Sequence, residues 1–366
     1  MVENTTLKVF EVAERDMLAL FTEELSIKPE KESILMRLKP VNQDQQQSFK
    51  VTYGAYLEDS DFAKVGRIIG KPDVVLDQRI GGGSTGLDQV WLYNSRKEGK
   101  AVVSVSKTTE GNYVLGLYNQ FDSYIDWWVN RYGGDCETTV ANYMPPKIRF
   151  EAFLFLLHSI DMFRRITFEN MLAYRFSEDL TLTYTDFAKK MSEAIGSHDI
   201  RWLLPAFLAL TPGALEEDIK LEAKHASLLM DLNFLENAGQ RDDGDVIMTF
   251  GEAGRVTGVE FYRTWLLGSG LEIKVAGNDG FETKGRFFIA PTALCNHFVR
   301  IEKETDGQLY ANHQAYTKEQ LIYQLKAQVG TVFESDNQEV EKFCSHCNNQ
   351  VPVDALFCNK CGNKLN

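Results

Sequence analysis

Two Cys-x-x-Cys pairs near the C-terminus limit what the last part of this chain can fold into. Cys344 and Cys347 form the first pair, and Cys358 and Cys361 form the second, after ten intervening residues. Four thiolates held in two tight turns are a ligand set that tetrahedral zinc prefers. A segment this short cannot fold on apolar burial alone, so the metal must supply its folding free energy. The spacing predicts one structural Zn²⁺ ion, bound by all four cysteines.

The residues beside the cysteines agree with this prediction. Asn348 and Gly362 follow the second cysteine of each pair, where a positive φ is often required and where Asn and Gly are best tolerated. Residues 343–366 resemble the short zinc-ribbon modules found at the ends of many bacterial proteins. Four sulfur ligands leave no coordination site for water, so we expect a structural and not a catalytic ion.

Charge narrows the range of partners. Lys and Arg total 39 and Asp and Glu total 52, which gives a formal net charge of −13. An acidic body is repelled by phosphate backbones, so nucleic acid and anionic lipid are disfavoured as partners. No apolar run approaches the roughly 20 residues that span a bilayer, and the N-terminus has no signal-peptide pattern. Because zinc thiolates need reduced sulfur, we expect a cytoplasmic protein without membrane insertion.

Two segments of the chain are alike at a constant offset of 196 residues. Val102–Gly111 and Phe298–Gly307 both read as strand, glycine turn and strand, and Val, Lys, Thr and Gly recur at matching positions. The helices that follow also match in register, since Ile125 and Val129 correspond to Leu321 and Leu325. An accidental likeness between two hairpins is the alternative. We expect a duplication, and therefore a pseudo-twofold core with exposed sheet edges and grooves.

The predicted fold is α+β, with a duplicated sheet-and-helix core, a helical insertion and a C-terminal zinc ribbon. The proposed units are a first α/β half at residues 1–135, a helical region at 147–240, a second α/β half at 241–330, an acidic linker at 331–342 and the ribbon at 343–366. Within them, periodicity predicts a helix over 7–25, strands over 34–38 and 49–56, and a strand over 246–250 that opens the second half. Pro212 after Thr211 predicts a further helix start.

No catalytic constellation is found in the sequence. The glycine-rich loop Gly81–Gly86 lacks the Lys that a phosphate loop requires, and it reads as a connection between two strands. Cys136 and Cys295 have no base nearby in sequence, and His225 and His313 have no ligand partner, so we expect buried or incidental side chains. His158 lies on an apolar helix and reads as a core residue. Only one of Trp127 and Trp128 can face the core.

One segment resembles the helix–wing–strand unit of winged-helix regulators. It comprises residues 228–235, the turn Asp242-Asp243-Gly244 and residues 246–250. DNA binding by such a unit requires basic residues. Arg241 is the only Arg or Lys between residues 226 and 249, which weakens this interpretation.

The order of elements is similar to that of the EspG family of type VII secretion chaperones, in which two α/β halves are related by a pseudo-twofold axis beside a helical bundle. The similarity rests on the strand over 286–290, the hairpin over 299–312 that turns at Asp306-Gly307, and the helix over 317–329. It also includes the N-terminal helix that ends at Glu24-Leu25-Ser26-Ile27. The resemblance implies a cytoplasmic protein that binds a secretion substrate without catalysis.

We therefore expect a non-enzymatic protein-binding adaptor or chaperone, such as one for type VII secretion substrates, whose ribbon makes a second contact. The alternative is a transcription-associated regulator that uses the winged-helix-like segment and the ribbon. An enzyme whose active-site residues are far apart in the sequence is a further alternative.

Overall fold

A computed structural model describes residues 7–40, 49–82, 86–136, 143–175, 180–211, 213, 221–262, 267–334, 342–343 and 350–351. The α-helices are α1 Glu14–Ala19, α2 Phe49–Leu57, α3 Ser60–Gly70, α4 Phe121–Tyr132, α5 Phe150–Leu172, α6 Tyr184–Ile195, α7 Leu203–Leu210, α8 Ala223–Asp231, α9 Glu252–Tyr262 and α10 Lys318–Glu334. The strands are β1 Lys8–Ala13, β2 Val74–Gly82, β3 Gly86–Asn94, β4 Val102–Lys107, β5 Asn112–Tyr118, β6 Lys147–Arg149, β7 Leu182–Thr183, β8 Leu235–Gln240, β9 Val246–Phe250, β10 Leu267–Gly277, β11 Gly280–Pro291, β12 Asn296–Lys303, β13 Leu309–Tyr316, β14 Lys342–Phe343 and β15 Gln350–Val351.

One ten-stranded antiparallel sheet forms the centre of the molecule. Its order is β1-β5-β4-β3-β2-β10-β11-β12-β13-β6, so the first half of the chain supplies one side and the second half the other. The halves join where β2 pairs with β10, in a register that runs from Val74 opposite Val275 to Gly82 opposite Leu267. The two halves thus form a single sheet.

The predicted duplication is confirmed. In the first half Val103 pairs with Leu117, and at the offset of 196 Val299 pairs with His313. Gly111 and Gly307 both adopt positive φ, at 90° and 76°, in turns with the same backbone hydrogen bonds. Strands β3 and β11 correspond at an offset of 195 instead of 196. Asn94 pairs with Val102 in the first half, whereas Phe298, the counterpart of Val102, pairs with Ile289, which lies 195 residues after Asn94. The connection before β12 is therefore one residue longer than the connection before β4.

Helices cover both faces of the sheet. On one face α4 and α10 pack side by side, with Ile125, Val129, Leu321 and Leu325 all at most 2% exposed. On the other face α1–α3 cover the first half, and α5–α9 cover the second. The symmetric helices thus share one apolar layer, whereas the opposite face is divided between two different sets of helices.

Like charges meet where the two halves join. Asp77 and Glu272 are cross-strand partners and also equivalent positions of the duplication. Facing carboxylates destabilise a sheet unless cations offset them. Arg79 lies 3.6 Å from Asp77, while Lys274 and Arg286 lie 3.5 Å and 3.0 Å from Glu272. These cations allow the two carboxylates to face each other.

The helical region approaches the sheet through a glycine. A Cβ added at Gly270 would lie 1.7 Å from the carbonyl oxygen of Leu210, at the end of α7. Only glycine permits this backbone-to-backbone approach. Helix α7 is held in turn by Asp161, a buried residue of α5 that accepts hydrogen bonds from the Leu203 and Leu204 amides at 2.8 and 2.9 Å. The helical region is therefore held to the sheet at β10.

The winged-helix-like segment forms as a unit. Helix α8 is followed by the hairpin of β8 and β9, and β7 completes a three-stranded sheet in the order β7-β9-β8. The sequence placed residues 246–250 in the second half of the core. That assignment is wrong, because β9 pairs with β7 and β8 and not with the central sheet.

Several local predictions at the N-terminus are wrong. Residues 8–13 form the edge strand β1, in which Phe10 and Val12 face the core, and the helix starts only at Glu14. Residues 34–37 form a 3₁₀ turn instead of a strand. Residues 49–57 form α2, because Phe49 and Tyr53 bury one helical face although the segment is rich in strand-forming residues.

Boundaries in the second half are partly confirmed. The capping box at α10 is observed, with the Gln320 amide donating to Thr317 Oγ1 at 3.2 Å and the Thr317 amide donating to Gln320 Oε1 at 2.9 Å. Helix α10 continues to Glu334, inside the predicted linker, and residues 335–341 lie outside the described residues. Thr211 follows the last residue of α7, and the helix predicted to start at residue 212 falls on residues that the structure does not describe.

The shared layer of α4 and α10 generates a stability prediction. Leu325→Ala should lower the free energy of unfolding by about 3 kcal/mol and Val129→Ala by about 2 kcal/mol, since each leaves a cavity in proportion to the volume removed. Urea denaturation measures both. Ala327→Ser, at an exposed position of α10, is the control and should change stability by less than about 0.5 kcal/mol. Losses below that level in Leu325→Ala would contradict the packing described.

The charges between the halves generate a second prediction. Arg286→Met should cost about 3 kcal/mol, because Glu272, only 7% exposed, loses its nearest cation while it faces Asp77. Adding Glu272→Gln to that variant should restore much of the loss. The control is Arg300→Met, which breaks a half-exposed pair with Glu302 and should cost at most about 1 kcal/mol. Equal losses from Arg286→Met and Arg300→Met in urea denaturation would refute the proposed role of Arg286.

Candidate binding surface and buried side-chain cluster

The four cysteines predicted to bind zinc, Cys344, Cys347, Cys358 and Cys361, lie outside the described residues. The described part of the tail is the backbone pairing of β14 with β15, in which Phe343 pairs with Gln350. Strand β14 ends directly before Cys344, and the first Cys-x-x-Cys pair lies in sequence between β14 and β15. A short antiparallel hairpin is a suitable support for such a turn. The ligand assignment stays a prediction from the spacing.

Two exposed aromatic residues lie at equivalent positions on α4 and α10. Trp127 is 42% exposed and Tyr323 is 70% exposed, and the offset between them is again 196. The prediction that only one tryptophan faces the core is confirmed, because Trp128 is 2% exposed. Lys326 pairs with Asp126 at 2.7 Å and links the two helices. The two aromatic side chains therefore lie on helices that an ion pair holds together.

A surface pocket of about 340 Å³ lies on the flank of α10. The helix contributes Gln324 and Gln328, and the underlying strands contribute Phe298, Arg300 and Tyr316. These side chains are amide, aromatic and guanidinium groups, and His313 of the buried layer also lines the pocket. The pocket thus extends the helical surface that carries Tyr323.

A buried cluster of ionisable groups lies between α9 and the second half of the sheet. His297 Nε2 lies 2.8 Å from Glu260 Oε1 and 3.5 Å from Cys295 Sγ, and Cys295 Sγ lies 3.8 Å from the same carboxylate oxygen. His297 Nδ1 lies 2.9 Å from His313 Nε2. Thr292 donates its hydroxyl hydrogen to Glu260 at 2.5 Å. All five side chains are buried.

The structure corrects the interpretation of two of these residues. The sequence suggested no base near Cys295 and no ligand partner for His313, but folding brings His297 to both. Cys295 lies in the turn directly before β12, His297 lies two residues further along on β12, and His313 lies on the adjacent strand. Alternation along a strand could have indicated the first pair. Glu260, from a helix that the sequence analysis missed, could not have been assigned.

The cluster is not arranged for nucleophilic catalysis. Burial, followed by the charge of Glu260, raises the pKa of the Cys295 thiol to about 12, so the sulfur stays protonated. Burial lowers the pKa of His313 to about 3. Burial alone would raise the pKa of Glu260, but hydrogen bonds from His297 and Thr292 hold it below its ordinary value. Since Cys295 and Glu260 contact the same nitrogen of His297, no relay connects them.

The remaining predicted residues have structural surroundings. His158 is buried, with Nε2 3.0 Å from the Phe187 carbonyl oxygen, which confirms it as a core residue. Cys136 is buried and accepts a hydrogen bond from Asn296 at 3.3 Å. His225 caps α8 by accepting from the Glu222 amide at 3.1 Å. Gly81 and Gly82 end β2 and Gly86 begins β3, so the glycine-rich loop does connect two strands.

Comparison with known proteins finds a family match for the tail and a distant structural likeness for the chain as a whole. A family model for the zinc-ribbon domain matches residues 343–365. No curated protein matches the chain. Among solved structures, the chain is similar to the type VII secretion system chaperone EspG5 of Mycobacterium tuberculosis, determined in complex with the PE25–PPE41 dimer. The identity is 10% and the TM-score is 0.41, over 89% of this chain and 97% of that one.

These findings define a chain with a C-terminal zinc-ribbon domain and an α+β body. The resemblance to the secretion chaperones, which the order of elements first indicated, is confirmed as a distant structural likeness. A likeness this distant supports no conclusion about function. In the part of the chain that the structure describes, none of the helices combines the length and apolarity that a bilayer crossing requires.

The ribbon generates a prediction about metal content. Cys358→Ser should lower the zinc content of the purified protein by one equivalent per chain, because three remaining thiolates hold zinc more weakly. Inductively coupled plasma mass spectrometry after gel filtration measures it. Cys136→Ser is the matched control, since this buried cysteine lies outside the ribbon and should leave the content unchanged. Equal zinc in wild-type protein and Cys358→Ser would refute the ligand assignment.

Proposed function

We propose that the protein is a non-enzymatic adaptor or chaperone that binds another protein across α4 and α10. The observation that supports this most directly is the symmetric pair of exposed aromatic side chains, Trp127 and Tyr323. Exposed Trp and Tyr are over-represented among residues that dominate binding energy, because each buries a large rigid surface and retains a polar group. A partner that contacts both would lie across the junction between the two halves.

The surroundings of these residues favour binding without rearrangement. Trp127 packs against Tyr124 and Tyr132, with ring centroids 5.6 and 6.2 Å away. The inner faces of both helices are fully packed on the sheet. A preorganised surface loses little conformational entropy on association. The nearby pocket with Gln324 and Gln328 would accept polar groups of the partner.

We further propose that the partner is a type VII secretion substrate in the cytoplasm and that the zinc ribbon makes a second contact. This part of the proposal rests on the element order in the sequence. Residues 342–366, the ribbon with the last linker residue, carry Lys342, Lys360 and Lys364 against Asp354, so these basic side chains could complement an acidic partner. Two linked contacts bind more tightly than either alone.

A transcription-associated regulator is the second candidate. The order β7-β9-β8 with α8 in front favours it, because this is the arrangement that a helix–wing–strand unit requires. Charge opposes it. The turn between β8 and β9 carries Asp242, Asp243 and Asp245 around Arg241, and such a wing would be repelled by phosphate.

The surface proposal predicts that Trp127→Ala combined with Tyr323→Ala weakens partner binding at least tenfold without unfolding the protein, since each side chain would contribute about 1 to 2 kcal/mol. Tagged full-length protein would be used to recover its partner from the native cytoplasm, and calorimetry with the purified partner gives the affinity. Leu172→Ala, at a residue 74% exposed on α5, is the matched control.

Each outcome of this experiment distinguishes the candidates. Loss of binding in the double variant alone supports the α4–α10 surface. Equal binding by the double variant and the control would show that the partner contacts a different surface. Recovery of no stoichiometric partner, together with salt-dependent binding of duplex DNA in fluorescence anisotropy, would contradict the adaptor function and favour the transcription-associated regulator.

A further inference from the structure

We propose that Glu260, Cys295 and His297 bind a second metal ion, separate from the ribbon, and that this ion is zinc. The three side chains come from α9, from the turn before β12 and from β12 itself. Their ligand atoms all lie within 4.8 Å of one another, and all three residues are buried. The site lies in the body of the protein and uses none of the four ribbon cysteines.

The spacing of the ligand atoms fits the bond lengths of zinc. The three atoms form a triangle with sides of 2.8, 3.5 and 3.8 Å. Its circumcentre is about 2.0 Å from each corner, and zinc bonds are about 2.0 to 2.2 Å to nitrogen and oxygen and about 2.3 Å to sulfur. An ion displaced from the plane by less than about 1 Å reaches these lengths. That displacement is expected of a tetrahedral ion with a fourth ligand on the same side.

The groups around the triangle orient the ligands as in known zinc sites. A ligating histidine usually directs its second ring nitrogen to a fixed partner, and His297 Nδ1 lies 2.9 Å from His313 Nε2. Ligating carboxylates are also hydrogen-bonded, and Thr292 donates to Glu260. The ring of Phe261 lies 5.0 Å from that of His297 and packs against it. Each ligand is therefore held in place before the metal arrives.

Charge and donor type select the ion. One thiolate, one carboxylate and one neutral imidazole together carry two negative charges, which a divalent cation neutralises in a buried site. Sulfur and nitrogen donors disfavour Mg²⁺ and Ca²⁺, which prefer all-oxygen sites, and suit zinc. Binding releases the Cys295 thiol proton to solvent, and no bond other than S–H is broken. No redox step is involved.

The ion would connect elements that are far apart in the chain. Glu260 belongs to the helix that packs against α5, whereas His297 belongs to the central sheet. The three protein ligands leave the fourth position to a water molecule. Exposures of 8%, 0% and 1% for Glu260, Cys295 and His297 leave no access for a substrate, so the role is structural. The metal would hold the helical region to the second half of the sheet.

The test removes the ribbon ligands from the full-length chain and asks whether zinc remains. A variant with Cys344, Cys347, Cys358 and Cys361 all changed to Ser should retain one zinc per chain. Adding Cys295→Ser should reduce this to none, whereas adding Cys136→Ser should leave it at one. A folded ribbon-free variant without zinc would overturn the proposal, as would retention of zinc after Cys295→Ser.

A second measurement keeps the test decisive if Cys295→Ser does not fold. Co²⁺ added to the ribbon-free variant should produce visible d–d bands of a four-coordinate ion and one sulfur-to-metal charge-transfer band, at one equivalent. The bands should disappear when zinc is added. A folded protein that binds no Co²⁺ would leave the cluster as a hydrogen-bonded network only and overturn the proposal. Partner binding is not involved in either readout.

Discussion

The antiparallel pairing of β2 with β10 is the contact on which the rest of the structure depends. It merges two duplicated units into one sheet, and it brings α4 beside α10 because both helices follow their sheets on the same face. The pairing also carries an electrostatic cost, since Asp77 faces Glu272 at its centre. Arg286, Arg79 and Lys274 offset that cost, so charge compensation in the middle of the sheet is part of what holds the halves together.

Elements with local signals could be predicted from the sequence. The two glycine-turn hairpins and the Thr317–Gln320 cap depend on residues close in sequence, and the structure contains them. Residues 49–57 were misassigned, because their intrinsic preference is for strand, and burial of Phe49 and Tyr53 against other helices overrides it. The same holds for residues 8–13, whose role as an edge strand depends on β5, over a hundred residues away.

The predicted ribbon site and the proposed buried site differ in the same way. The ribbon ligands are local, so spacing alone assigns them, although their geometry lies outside the described residues. The buried cluster draws on α9, the turn before β12, β12 and β13. Only the pair Cys295 and His297 leaves a trace in sequence, as two residues at a spacing of i and i+2. Glu260 and His313 join them through tertiary packing, which periodicity does not encode.

Both outer strands of the sheet discourage self-association. At one end β6 has only three residues, and its Lys147 and Arg149 form ion pairs with Glu304 and Glu151. At the other end β1 carries Lys8, paired with Asp59. Short, charged outer strands are a common protection against edge-to-edge aggregation. The two outer strands therefore offer little length of uncharged backbone for pairing with another sheet, whereas the proposed partner surface lies on helices, where contacts form and break without extending the sheet.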